Sequence, residues 1–156
     1  MQVIKAQGIS AHFNIAIVVS RFHSEITQKL LDGALEKLVE FAFSNERITV
    51  VWVPGAVEIP LAAQRLARTE KYEAIICLGA VIYGETRHFD YVCDQVSVGC
   101  QQAALAHDIP VIFGVLTTDN LTQAEARVGG AKGHMGREAV QAAVEMVSVL
   151  SQIIPA

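Results

Sequence analysis

Residues 79–92 read GAVIYGETRHFDYV and bring a glycine, a carboxylate, a hydroxyl and an imidazole within five positions: Gly84, Glu85, Thr86 and His88. The stretch begins as the end of an apolar run, AIICLGAVI at 74–82, which suits a strand buried on both faces. It then breaks at Gly84-Glu85-Thr86 and enters an amphipathic segment near His88. A buried strand, a glycine turn carrying a hydroxyl and a helix start make an anion site, because free backbone N–H groups and the positive end of the helix dipole converge there. An imidazole beside such a cradle can move protons near neutrality. Together these types and this spacing point to an enzyme acting on a phosphorylated substrate.

Other chemistry-bearing residues fall after the other apolar runs. Phe22 ends NIAIVVSRF (14–22), Pro54-Gly55-Ala56 and Glu58 follow ITVVWV (48–53), and Phe113-Gly114 lies in PVIFGVL (110–116). If those runs are parallel strands, these residues, with Val81 and Ile82, are expected at the carboxyl ends, where open sheets bind ligands. The set suits a flat polar ring carrying a polyol and a phosphate. Each residue alone also has a plainer role. Phe22 is an ordinary packing residue, Glu58 a carboxylate favoured by a helix dipole, and Thr86 a helix cap. His88 is equally a surface side chain, and Arg127 a solvated charge. Only the joint arrangement carries the functional reading.

Positioning these groups requires alternating elements, and the pattern supplies them. A short leading strand is expected at 3–6, then a turn at Gly8-Ile9-Ser10 and a strand at 14–22. Ser24 can cap a helix in which Ile26, Leu30, Ala34, Leu35 and Leu38 recur at helical spacing to about residue 41. Strand 48–53 precedes a helix that tolerates Pro60 only in its first turn and runs to about Thr69. Strand 74–82 leads to a helix over about 89–106, and strand 110–116 to a short helical piece over 121–128, opened by Thr117-Thr118-Asp119. A glycine-rich link, VGGAKGHMG (128–136), precedes a last helix striped by Val140, Ala143, Val144 and Val147. Four strand–helix alternations predict one α/β domain over residues 1–156: a four-stranded parallel sheet covered by helices on both faces, three layers with right-handed crossovers.

Composition narrows the class. A net charge of −4 argues against nucleic-acid and anionic-membrane partners. Hydrophobic residues make up 52%, so part of the apolar surface is expected between subunits. The longest apolar run, nine residues, is about half of what a membrane helix needs, and MQVIKAQGIS lacks a signal-peptide core, so a cytoplasmic location is expected. Cys77, Cys93 and Cys100 form no CxxC pair and read as buried reduced thiols. Histidines at 12, 23, 88, 107 and 134 show no ligand spacing, so no metal is expected.

Three blocks, VWVPGAVEIP (51–60), LGAVIYGETRHFDYV (78–92) and FGVLTTDN (113–120) followed by Ala126-Arg127, resemble the lumazine synthase family of riboflavin biosynthesis. The likeness runs from Ser20-Arg21-Phe22 to the final helix. It implies a flavodoxin-like fold and a cofactor-free, metal-free condensation. In it 5-amino-6-(D-ribitylamino)uracil and 3,4-dihydroxy-2-butanone 4-phosphate give 6,7-dimethyl-8-ribityllumazine, phosphate and two waters. It further implies that Phe22, Ala56, Val57, Glu58, Ala80, Val81, Ile82 and Phe113 hold the pyrimidine and ribityl chain. Gly84, Glu85, Thr86 and Arg127 would hold the phosphate, with His88 transferring protons. Phe113 and Arg127 would come from the neighbouring subunit of a pentamer. The length of the 128–136 link is compatible with a 60-subunit shell, and riboflavin synthase is a candidate partner. The chain departs from the family's usual pattern at His23 (asparagine), Tyr83 (arginine), Arg87 (proline) and His134-Met135 (Asn-Lys); Lys132 lies one place off another family lysine.

Two other classes remain beside the enzyme. A flavin- or lumazine-binding carrier without turnover is compatible with the missing charge at Met135, against which stand His88 and Arg127. A flavodoxin-like electron carrier fits by fold alone, but residues 20–24 contain no glycine for a phosphate loop.

Overall fold

Strands β1 (Ile15–Ser20), β2 (Ile48–Val53), β3 (Ala74–Ile82) and β4 (Val111–Thr118) form a parallel sheet in the order β2-β1-β3-β4 in the computed structural model, which describes residues 1–153. β1 pairs with β2 on one side (Val18 with Val51) and with β3 on the other (Val18 with Cys77). The strand order therefore reverses between β1 and β3. All six residues of β1 are buried, as are eight of the nine in β3, which is why both are continuous apolar runs rather than alternating ones. The architecture is the three-layer, flavodoxin-like α/β/α arrangement expected.

The pleat sends alternate residues to two cores. Ile15, Ile17 and Val19 meet Leu30, Ala34 and Leu38 of α1 (Ser24–Glu40), with Val140, Ala143 and Val144 of α5 (Met135–Leu150). Ala16 and Val18 face Ile59 and Ala63 of α2 (Ile59–Ala67), with Val96 and Cys100 of α3 (His88–His107). Cys77 of β3 and Cys100 of α3 lie in this second core with their thiols hydrogen-bonded. That bond first, then burial, holds the Cys77 thiol well above its ordinary range. Both are buried and unoxidised, while Cys93 is only half-buried.

Close helix crossing sets the α1–α5 contact. A Cβ on Gly136 would lie 2.1 Å from the Leu30 carbonyl oxygen, and one on Gly33 2.1 Å from the His134 ring. Arg137 adds ion pairs to Glu36 (3.4 Å) and Glu40 at the rim of the same contact.

Several expected boundaries shift. Residues 3–6 form no strand and are exposed; the segment instead lies along α5, where the Gln7 N–H donates to Ser148 Oγ at 2.9 Å and the Ser148 hydroxyl donates to the Gln7 carbonyl at 3.0 Å. Ser24 is the first helical residue of α1, not its cap. The cap position is His23, in the left-handed region (φ 59°, ψ 49°) and without a side-chain capping bond. β4 runs on through Thr117 and Thr118 before α4 (Leu121–Glu125), whose cap is Asn120, accepting the Gln123 N–H at 2.9 Å. The expected link at 128–136 folds into a small antiparallel hairpin, β5 (Val128–Gly130) with β6 (Gly133–His134).

Candidate active site

A cleft of about 750 Å³ opens where the strand order reverses, at the carboxyl ends of β1 and β3, the place where ligands enter sheets of this kind. Beyond the strands the chain stays paired. Arg21 and Phe22 donate their N–H groups to the carbonyls of Val53 (2.8 Å) and Pro54 (3.1 Å), and Tyr83 donates to Thr118 (2.8 Å). These bonds fix the loops that make the cleft wall, although the loops have left the sheet.

Around the cleft stand Phe22, Ala56, Val57, Glu58, Ala80, Val81, Ile82, Gly84, Thr86 and His88. Phe22 is 67% exposed, an uncovered aromatic face at the mouth. Glu58 follows a tight turn, and one carboxylate oxygen, Oε2, accepts the Gly55 N–H at 2.8 Å. That bond satisfies an N–H at the helix start, a role beyond the dipole effect expected of it, and it aims the carboxylate while leaving Oε1 available. Thr86 Oγ1 accepts the His88 N–H at 3.3 Å, so the hydroxyl meets the first N–H of α3, whose cap position is Arg87, and retains its own proton for donation. A Cβ placed on Gly84 would meet nothing within 4 Å; the glycine borders open space. His88 opens α3 beside it, exposed at the helix N-terminus.

Glu85, Phe113 and Arg127 do not line this cleft. Glu85 sits in the turn between Gly84 and Thr86 and is exposed. The expectation that Phe113 stands at a carboxyl strand end is wrong. It is the third residue of β4, paired with Cys77, and the strand continues to Thr118. On this edge strand Phe113 stays 39% exposed. Arg127 is half-buried after α4, where its guanidinium donates to the Gln123 carbonyl at 2.8 Å.

The cleft also takes in residues that the sequence reading did not assign to it: His23, Gly55, Tyr83, Phe89, Tyr91, Val92 and Gln95. His88, Tyr91, Val92 and Gln95 lie three, four and seven positions apart on one face of α3. That spacing was available once His88 was taken as the first residue of a helix. The Phe22 and His23 rings are 4.5 Å apart, and Tyr83 meets Phe89 edge-on at 5.6 Å. Partial burial lowers the His23 pKa from its ordinary value, so the ring is neutral at neutral pH. Of the departing positions, Met135 packs against the α1–α5 core, and Lys132 and Arg87 are exposed.

The 6,7-dimethyl-8-ribityllumazine synthase family model matches residues 12–151. A 6,7-dimethyl-8-ribityllumazine synthase of Coxiella burnetii strain CbuG_Q212 is 54% identical over 141 residues, covering 90% of this chain and 93% of the relative. Its counterpart in the Dugway 5J108-111 strain is 55% identical over the same length and shares. No helix among the described residues is long and apolar enough to cross a membrane. With the fold, the cleft and these relatives in agreement, the chain belongs to the 6,7-dimethyl-8-ribityllumazine synthase family, transferases of riboflavin biosynthesis.

Proposed function

We propose that the cleft condenses 5-amino-6-(D-ribitylamino)uracil with 3,4-dihydroxy-2-butanone 4-phosphate, with His88 as the proton-transfer residue. The observation that carries this reading is the gathering of a phosphate-type turn, an imidazole, an oriented carboxylate and an open aromatic face around one cleft at the strand-order reversal. Phe22 would stack on the pyrimidine, and Val81, Ile82 and Ala80 would meet the ring edge. Ala56, Val57 and Glu58 would hold the ribityl hydroxyls. Gly84, Glu85 and Thr86 would receive the phosphate at the start of α3, where backbone dipoles favour an anion.

Imine formation releases one water, elimination releases phosphate, and ring closure releases the second water. Each step moves protons between nitrogen, oxygen and carbon, which an imidazole can do at neutral pH. No strong nucleophile is required, so much of the acceleration would come from holding two substrates in register. The measurement is lumazine formation by absorbance against a protein-free blank. A rate well above blank supports the reading. A rate equal to blank with tight riboflavin binding would replace it with a carrier.

Phe113 and Arg127 are proposed to complete the cleft of a neighbouring copy. Phe113 is exposed on an open sheet edge and Arg127 lies outside its own chain's cleft. Tyr91, Val98 and Leu105 project from one face of α3 at seven-residue spacing, 63%, 55% and 75% exposed, an apolar stripe that a lone subunit would leave in water. A pentamer or a multiple of it, up to a 60-subunit shell, is the expected assembly, and a monomer by light scattering would remove the shared site.

Arg127→Ala should raise the KM for the phosphate substrate about 10-fold with kcat little changed, the loss of one charge-assisted contact. Steady-state kinetics at varied phosphate substrate checks this, and an unchanged KM would take Arg127 out of the site.

A further inference from the structure

The structure points to a second imidazole in the cleft: we infer that His23 touches the heterocyclic substrate, its unprotonated ring nitrogen accepting a hydrogen bond from an N–H at the polar edge beside the Phe22 ring. This rests on the reaction proposed above. His23 lines the main cleft and also a smaller adjoining hollow of about 440 Å³ bounded by Arg21, Glu25 and Leu121. It stands where the two spaces meet. Its left-handed backbone (φ 59°) takes it out of the helix that it precedes, and its side chain does not cap that helix. The ring is thus not spent on local structure. It sits 4.5 Å from the Phe22 ring, tilted by 59°, so a flat molecule stacked on Phe22 has the imidazole at its margin.

The chemistry follows from the ring's state. A neutral imidazole offers one donor and one acceptor on opposite sides, whereas a protonated one only donates. A uracil-type ring carries N–H donors along its edge, and only the neutral imidazole has a free nitrogen to accept from one of them. Partial burial favours that form by lowering the His23 pKa. The groups sharing the space are Arg21 and Glu25 on either side along the chain, Glu58 from the turn after β2, Tyr83 from the end of β3, and His88 and Tyr91 from α3. None of them adds to the lowering, which burial alone produces. Binding through His23 is therefore intact at neutral pH and fails as pH falls through its lowered pKa.

Asparagine is the discriminating replacement. It accepts the left-handed conformation better than most residues and offers a donor and an acceptor that do not titrate. Lumazine formation by wild type, His23→Asn and His23→Ala is followed from pH 5 to 8.5 with the pyrimidine substrate varied. In wild type the KM for that substrate should rise as pH falls below the ordinary imidazole range, while in His23→Asn it should stay flat. In His23→Ala it should be about 10-fold higher at pH 8, the loss of about one hydrogen bond. As a measurement free of any variant, adding the pyrimidine substrate alone to wild type should shift the His23 imidazole C–H resonances. Active wild type with no such shift, or with superimposable pH profiles in His23→Asn, overturns the role of His23 alone. Wild type no faster than the blank overturns the reaction, and this inference with it.

Discussion

Gly136→Ala is expected to lower the melting temperature by about 6–12 °C, through a loss of about 3 kcal/mol in a chain of this size. The methyl group would sit 2.1 Å from the Leu30 carbonyl oxygen and 2.9 Å from its carbon. Those atoms are backbone inside α1, so no side-chain rotation relieves the clash. α5 must lift from α1, and Ala139, Val140 and Ala143 would lose part of their packing as it does. Gly84→Ala is the control: nothing lies within 4 Å of its Cβ, and its melting point should match wild type. Differential scanning calorimetry on the three proteins decides the matter. A Gly136→Ala protein that melts with wild type would mean that the α1–α5 spacing is looser than described.

His88→Ala should reduce kcat by about 100-fold and leave both KM values within a few-fold of wild type. Proton transfer by a positioned side chain contributes about 10²–10⁴ to a rate, and the low end suits an exposed imidazole whose place water can take. The substrates would still be held by groups on other elements: Phe22 after β1, Glu58 after β2 and the turn after β3. The mutant rate should consequently stay above the protein-free blank, reflecting positioning alone. Equal kcat in wild type and His88→Ala would assign the proton transfers to solvent or to the substrate's own phosphate.

How much of this was legible in the chain depended on what makes each element. The strands at 48–53 and 74–82 were read to the residue: burial on both faces requires the unbroken apolar run of the second, and the half-buried edge strand 48–53 is marked by β-branched residues and the Pro54-Gly55 that closes it. β4 was cut short at Leu116, since Thr117 and Thr118 look like the start of a loop although their branched side chains suit a strand. Phe113 lies mid-strand with either boundary, so its expected place at the carboxyl end did not follow from the run itself. The leading strand at 3–6 was expected from residue type, but those residues have no strand neighbour among the described residues. The hairpin at 128–134 was missed because two- and three-residue strands carry no periodicity. Its only signals were Gly129 and Gly133, both with positive φ. Ser24 was a plausible cap by residue type, whereas a left-handed His23 cannot be read from type alone. Of the residues that line the cleft, Phe22, Ala56, Val57, Glu58, Ala80, Val81, Ile82, Gly84, Thr86 and His88 were named from the sequence, while Tyr91, Val92 and Gln95 needed the first residue of α3. Nothing in the sequence said that Glu58 would bind its own turn.

The thiol pair between β3 and α3 turns the protein into its own reporter of breathing. Cys77 and Cys100 are 0% and 1% exposed, and no alkylating reagent can reach them while the helix lies on the sheet. Cys93, one residue past the cleft-lining Val92, is half-buried, with its thiol pKa raised by burial and by Asp90 and Asp94. It should be alkylated first, slowly and faster at alkaline pH. Modification of the other two would then clock how often α3, the helix that begins with His88, swings away from its bed.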